Sequence, residues 1–188
     1  MARKRVAILI SGRGSNMMAL IEAARASDYP AEIVLVISNK AEAGGLALAR
    51  QAGVMAAVVD GDTRQEMEAG IQRNLEAADV ELVALAGFMR ILSADFVQRW
   101  DHRLINIHPS LLPAYPGLDT HARALFAGEV KHGCTVHFVT AGVDEGPIVA
   151  QAEVPVVPGD TPQTLAERVL AEEHKLYPKA LAMIAERS

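Results

Sequence analysis

A chain of 188 residues with 51% hydrophobic and 22% charged residues has the length for one compact domain, residues 1–188, and the apolar content to fill its core. A net charge of -5 and only 4% aromatics argue against a nucleic-acid partner, which needs clustered Lys and Arg or stacking rings. One cysteine, Cys134, leaves no internal disulfide, and no apolar run is long enough for a signal or membrane helix, so the expected setting is cytoplasmic with no membrane partner.

Residues 6–10, Val-Ala-Ile-Leu-Ile, are apolar without alternation, the pattern of a strand buried on both faces. Ser11-Gly12-Arg13-Gly14-Ser15-Asn16 follows and leads into a helix over 16–26. Strands are then expected at 32–38, 56–59, 81–86 and 104–107, alternating with helices at 44–52, 63–78 and 94–100. This alternation predicts an α/β fold built on a doubly wound, mostly parallel, Rossmann-like sheet. The pattern changes after that. Pro113, Pro116 and Gly117 make 110–121 a loop, and 123–127 a short helix. Strands at 133–139 and 148–156 can pair as an antiparallel C-terminal extension, and 162–187 reads as a long C-terminal helix with Thr161 as its N-cap.

The glycine-rich turn between the first strand and helix can present backbone N–H groups to an anion, with Ser15 and Asn16 adding donors. It lacks the third glycine of a dinucleotide fingerprint, having Met17 there, and the Gly-Lys-Ser/Thr ending of a P-loop. Those departures favour a monophosphate or sugar phosphate. The same sequence also suits a tight turn that binds nothing.

Asn106 and His108 are two apart on a strand and share a face at its carboxyl end. A carboxamide can donate to a developing oxyanion, and an imidazole can move protons near neutral pH. Asp144, in the turn-rich run Gly142-Val143-Asp144-Glu145-Gly146-Pro147, is the best candidate to orient that imidazole. Read locally, a lone histidine near a strand end such as His108 is more often a hydrogen-bonded core residue. Ser110 beside it has no Gly-x-Ser-x-Gly elbow, and His108, His121, His132 and His137 have no zinc-ligand spacing, so neither a serine nucleophile nor a metal is expected. Cys134, Trp100, Met17 and Met18 read as packing residues, and 66–76 as a solvated helix face.

Ser11-Gly12-x-Gly14-Ser15-Asn16, Ala86-Gly87-Phe88-Met89-Arg90-Ile91-Leu92, Asn106-Ile107-His108-Pro109-Ser110-Leu111-Leu112-Pro113, His137-Phe138-Val139 and Asp144-x-Gly146-Pro147 occur in this order. Together, over essentially the whole chain, they resemble the phosphoribosylglycinamide formyltransferases of the 10-formyltetrahydrofolate-dependent formyltransferase family. The resemblance implies formyl transfer from 10-formyltetrahydrofolate, as co-substrate and without a metal, to the amine of glycinamide ribonucleotide in purine biosynthesis. It implies that Gly14, Ser15 and Asn16 hold the substrate phosphate and Glu173 the ribose hydroxyls. The folate would lie against Arg64, Met89, Arg90, Ile91 and Leu92, with Asn106 and Thr140, Ala141, Gly142, Val143 and Asp144. Asn106 and His108 would stabilise the tetrahedral oxyanion, and Asp144 would favour the imidazolium form of His108.

By this division residues 1–100 form a phosphate-binding half and 101–188 a catalytic and folate-binding half, in a monomer or homodimer. Leu112-Pro113 would be cis. Asp119 stands where bacterial relatives often have histidine, which leaves a catalytic role at that position open. The alternatives are a formyltetrahydrofolate deformylase-like hydrolase, expected to carry a further domain, and a non-catalytic sugar-phosphate binding module.

Overall fold

A computed structural model describes residues 2–187. Five strands run parallel: β1 (Lys4–Ile10), β2 (Ala31–Ser38), β3 (Met55–Val58), β4 (Leu82–Leu85) and β5 (Leu104–His108). β6 (Lys131–Phe138) pairs antiparallel with β5, and β7 (Ile148–Pro155) antiparallel with β6. All seven belong to one sheet in the order β3-β2-β1-β4-β5-β6-β7. The helices are α1 (Ser15–Ala23), α2 (Gly44–Gln51), α3 (Arg64–Ala77), α4 (Ala94–Arg99), α5 (Thr120–Phe126) and α6 (Pro162–Ala185).

The alternation of β1 explains the layering. Val6, Ile8 and Ile10 face a cluster with Met17, Leu20 and Ile21 of α1 and Leu176, Tyr177 and Leu181 of α6. Ala7 and Leu9 face the opposite cluster, with Met67, Ile71 and Leu75 of α3, Phe96 and Val97 of α4, and Trp100 just after it. A strand covered by helices on both sides has no polar face, which is why its sequence shows no alternation. Cys134 is buried in the first cluster and Trp100 in the second. Trp100 still finds a partner, donating from Nε1 to Gln72 at 2.9 Å.

Every expected element forms. Two ends shift by three residues: α1 stops at Ala23, and α5 starts at Thr120 inside the stretch read as loop. Asp119 adopts φ 55° and ends the turn, and Thr120 Oγ1 donates to the Pro109 carbonyl at 2.6 Å, tying the new helix to the end of β5. Leu112-Pro113 is cis. Among the described residues no helix is long and apolar enough to cross a membrane.

Candidate active site

Strand order reverses between β1 and β4, and in open α/β sheets ligands bind outside the carboxyl ends of the strands at such a point. A cavity of about 430 Å³ opens to one side of it, over the carboxyl ends of β4 and β5. Its wall is made by Asn106 and His108 of β5, by residues 88–92 after β4 and by 139–144 after β6, with Gly117 and Leu118 closing one side. The last wall follows from sheet register. Val139 N–H donates to the Leu104 carbonyl at the start of β5, and the chain then returns along β5 until Asp144 meets His108 at its end.

Asp144 Oδ2 is 3.3 Å from His108 Nδ1, and the same oxygen accepts the Gly117 N–H at 2.9 Å. His108 Nε2 lies 2.9 Å from the Tyr115 carbonyl. A carbonyl only accepts, so Nε2 carries a hydrogen, and Nδ1 is the atom turned to the Asp144 carboxylate. Each ring nitrogen therefore faces an oxygen acceptor. The Nδ1 contact is longer than a tight charge-assisted bond, roughly 2.7–2.9 Å, which leaves Nδ1 open to a ligand oxygen.

His137, which faces Asn106 across the β5–β6 ladder, completes the group. Its Nδ1 lies 2.9 Å from the Phe138 carbonyl, so that nitrogen holds the proton, and Nε2 can accept from Asn106 Nδ2 at 3.4 Å. Burial pushes the His137 pKa down, against raising effects from the Phe138 carbonyl and Asp144. His137 Nε2 thus turns the Asn106 amide while leaving it one free N–H.

On the β1 side, Gly14 caps α1 at φ 77° with no side-chain cap bond. A Cβ on Gly14 would meet Met17 Cε at 2.9 Å and Gly45 Cα at 3.0 Å, so glycine is required by both conformation and space. Ser15 is exposed and Asn16 half-buried. Asn16 Nδ2 donates to Glu173 Oε2 of α6 at 2.8 Å. Glu173 is 6% exposed, and burial raises its pKa while the Asn16 bond lowers it. Among the described residues two buried side-chain polar atoms lack a hydrogen-bond partner, Asn16 Oδ1 and His174 Nε2. They flank this carboxylate in sequence and contact.

Asn106, His108 and Asp144 therefore converge, as do Asn16 and Glu173. Met89, Arg90, Ile91, Leu92, Thr140, Ala141, Gly142 and Val143 all line the cavity. Arg64 does not: it is the exposed first residue of α3. Arg13 is exposed. Ser110 is turned away, its hydroxyl donating to the Ala114 carbonyl at 2.7 Å. The four histidines split, His121 and His132 pairing at 3.2 Å away from the Asp144 group. Among the described residues no group of His, Cys, Asp and Glu is placed to hold a metal ion. The sequence reading missed His137, Gly117 and Leu118 as wall residues. His137 was visible as part of a motif, but only the β5–β6 register puts it opposite Asn106. The division into halves is crossed, since Glu173 meets Asn16 and residues 89–92 share a cavity with 106–144.

The sequence profile of the family described as Formyl transferase matches residues 4–181. The chain is 54% identical over 187 residues to the trifunctional purine biosynthetic protein adenosine-3 of Drosophila melanogaster, covering 97% of this chain and 14% of that protein. It is 44% identical over 184 residues to the phosphoribosylglycinamide formyltransferase of Escherichia coli (strain K12), covering 96% of this chain and 87% of that one. The crystal structure of phosphoribosylglycinamide formyltransferase from Brucella melitensis superposes with a TM-score of 0.94 at 54% identity, over 97% of this chain and 96% of that one.

Proposed function

The chain belongs to the formyl transferase family, and from that membership we propose that it transfers the formyl group of 10-formyltetrahydrofolate to the amine of N1-(5-phosphoribosyl)glycinamide. One juxtaposition carries the reading: a carboxamide, an imidazole and a carboxylate meet at the back of an apolar-walled cavity, while a second, buried carboxylate waits beside the glycine loop.

The ribonucleotide phosphate sits on the uncapped N-terminus of α1 at Gly14, Ser15 and Asn16, where free N–H groups and the helix dipole favour an anion. Two adjacent sugar hydroxyls then reach Glu173 and the unpartnered Asn16 Oδ1, both of which need donors. The folate packs against Met89, Ile91, Leu92 and Val143, with Arg90 near its charged end.

The amine attacks the formyl carbon, a C–N bond forms, and the carbonyl becomes an oxyanion. Asn106 Nδ2 and His108 Nδ1 are the groups available to donate to that oxygen, and Asp144 holds the ring in place. The C–N bond to the folate nitrogen then breaks. The proton lost by the amine goes to that nitrogen, passed through Asp144, His108 or a water. The setting is the cytoplasm. In the test, donor absorbance is followed with and without the ribonucleotide. Consumption only when the ribonucleotide is present is expected. Consumption without it would make the chain a deformylase-like hydrolase, and none in either case would leave a sugar-phosphate binding module.

A further inference from the structure

Ser11 is the first residue after β1 and is 6% exposed. Its hydroxyl donates to Asn39 Oδ1 at 2.5 Å, just after β2, and accepts the Met89 backbone N–H at 2.8 Å, beyond the end of β4. One oxygen thus ties the carboxyl ends of three neighbouring strands. A hydroxyl has a single hydrogen, and Asn39 holds it, so the lone pairs of Ser11 are left to face Met89.

The Met89 segment has little else to fix it. Phe88 and Leu92 are anchored in the cluster beneath α3 and α4, but Met89 and Ile91 between them are 63% and 70% exposed. Their apolar side chains line the cavity, so the height of this wall is set by backbone contacts. On its other side Ser11 continues into Gly12, whose carbonyl accepts the Gly45 N–H at 3.0 Å. A Cβ on Gly45 would meet Ile10 Cδ1 at 2.6 Å and Gly12 O at 3.1 Å, so α2 is pressed against the glycine loop. Ser11 therefore stands between a loop locked by packing and a wall that is not.

We propose that Ser11 is a positioning residue that sets the folate-lining segment 88–92 from the glycine loop, with Asn39 fixing the direction of its hydroxyl. The identity of the ligands rests on the formyl-transfer reading; the Ser11–Met89 link does not.

Ser11→Ala removes the acceptor of the Met89 N–H. Amide hydrogen exchange over 87–92 is expected to quicken, and KM for the formyl donor to rise roughly 5–30-fold, the loss of one hydrogen-bond partner. KM for the ribonucleotide stays within about twofold, since the helix-terminus contacts of its phosphate are untouched. Asn39→Ala gives part of this effect and adds nothing on top of Ser11→Ala, because both act through one hydroxyl. Asn39→Asp keeps an oxygen acceptor and retains the amide protection.

An unchanged donor KM in Ser11→Ala overturns the proposal. So does an equal rise of both KM values with a lowered Tm, which is general loosening, or full additivity with Asn39→Ala. A wild-type protein that transfers no formyl group overturns the formyl-transfer reading, and this proposal's folate ligand with it. The Met89 exchange separates the two failures, because it reads the link without any substrate.

Discussion

At the scale of single residues, the chemistry depends on how His108 is held. The Tyr115 carbonyl fixes Nε2–H, so only Nδ1 is free to alternate between Asp144 and a reacting oxygen. Removing the ring or neutralising its partner should therefore affect transfer and spare the ribonucleotide. His108→Ala and Asp144→Asn are each expected to lower kcat by about 10²–10⁴-fold. Ribonucleotide affinity, measured by calorimetry, should stay near wild type because Gly14, Ser15, Asn16 and Glu173 are unchanged. Near-normal turnover in both variants would remove these residues from the reaction. In Asp144→Asn the new amide can donate to Nδ1 while Nε2–H keeps its bond to Tyr115, so structure is preserved while the charge partner is lost. The pairing of Asn106 with His108 could be read from a spacing of two on a strand. The role of His137 could not, because it depends on which residue of β6 lies opposite Asn106.

At the scale of elements, α6 is the long lever that delivers Glu173. Its start was readable from Thr161 followed by Pro162, and the Thr161 side chain accepts the Thr164 N–H in a reciprocal capping box. Asp160 reinforces the same turn: Arg168, the Val157 N–H and Thr164 hold its carboxyl well below the usual carboxylate range. Inside the helix, Tyr177 is fully buried and donates to the Leu85 carbonyl at 2.8 Å, fixing α6 over the end of β4. Thr161→Ala should cost about 0.5–2 kcal/mol of stability. For a chain of this size that corresponds to a Tm drop of roughly 2–4 °C per kcal/mol, readable by calorimetry. Turnover at ordinary assay temperature should be unchanged, since Glu173 lies well inside the helix. α5 shows the limit of local reading. Pro116 and Gly117 announce a turn, but where helix begins is set by Asp119 at positive φ and by the Thr120 bond to Pro109.

At the scale of the whole molecule, the packing buries several imidazoles. Burial pushes His132 down to about 4, against an ordinary 6.5, and also lowers His121, His137 and His174. The unfolded chain takes up protons on these groups before the folded one does. Their stabilising contribution is thus complete above about pH 6.5 and lost on acidification, that of His132 as pH falls through about 4. Glu173 works in the opposite sense, its raised pKa favouring the folded state on acidification. Tm is expected to fall between about pH 7.5 and about pH 4.5, and His132→Gln, which cannot titrate, should fall less. Equal slopes would show that His132 is not part of this balance.

The sequence by itself determined the element order, the buried parallel strands, the glycine turn and the shared face of Asn106 and His108. Those features follow from local periodicity, steric preference and turn chemistry, which act over a few residues. Only the tertiary structure decided that Asp144 reaches His108, that Asn16 meets Glu173 at a separation of 157 residues, and that Ser11 holds Met89. Each of those contacts depends on strand order, ladder register and the return path of a loop. They are properties of how the whole chain packs, and no local stretch of sequence encodes them.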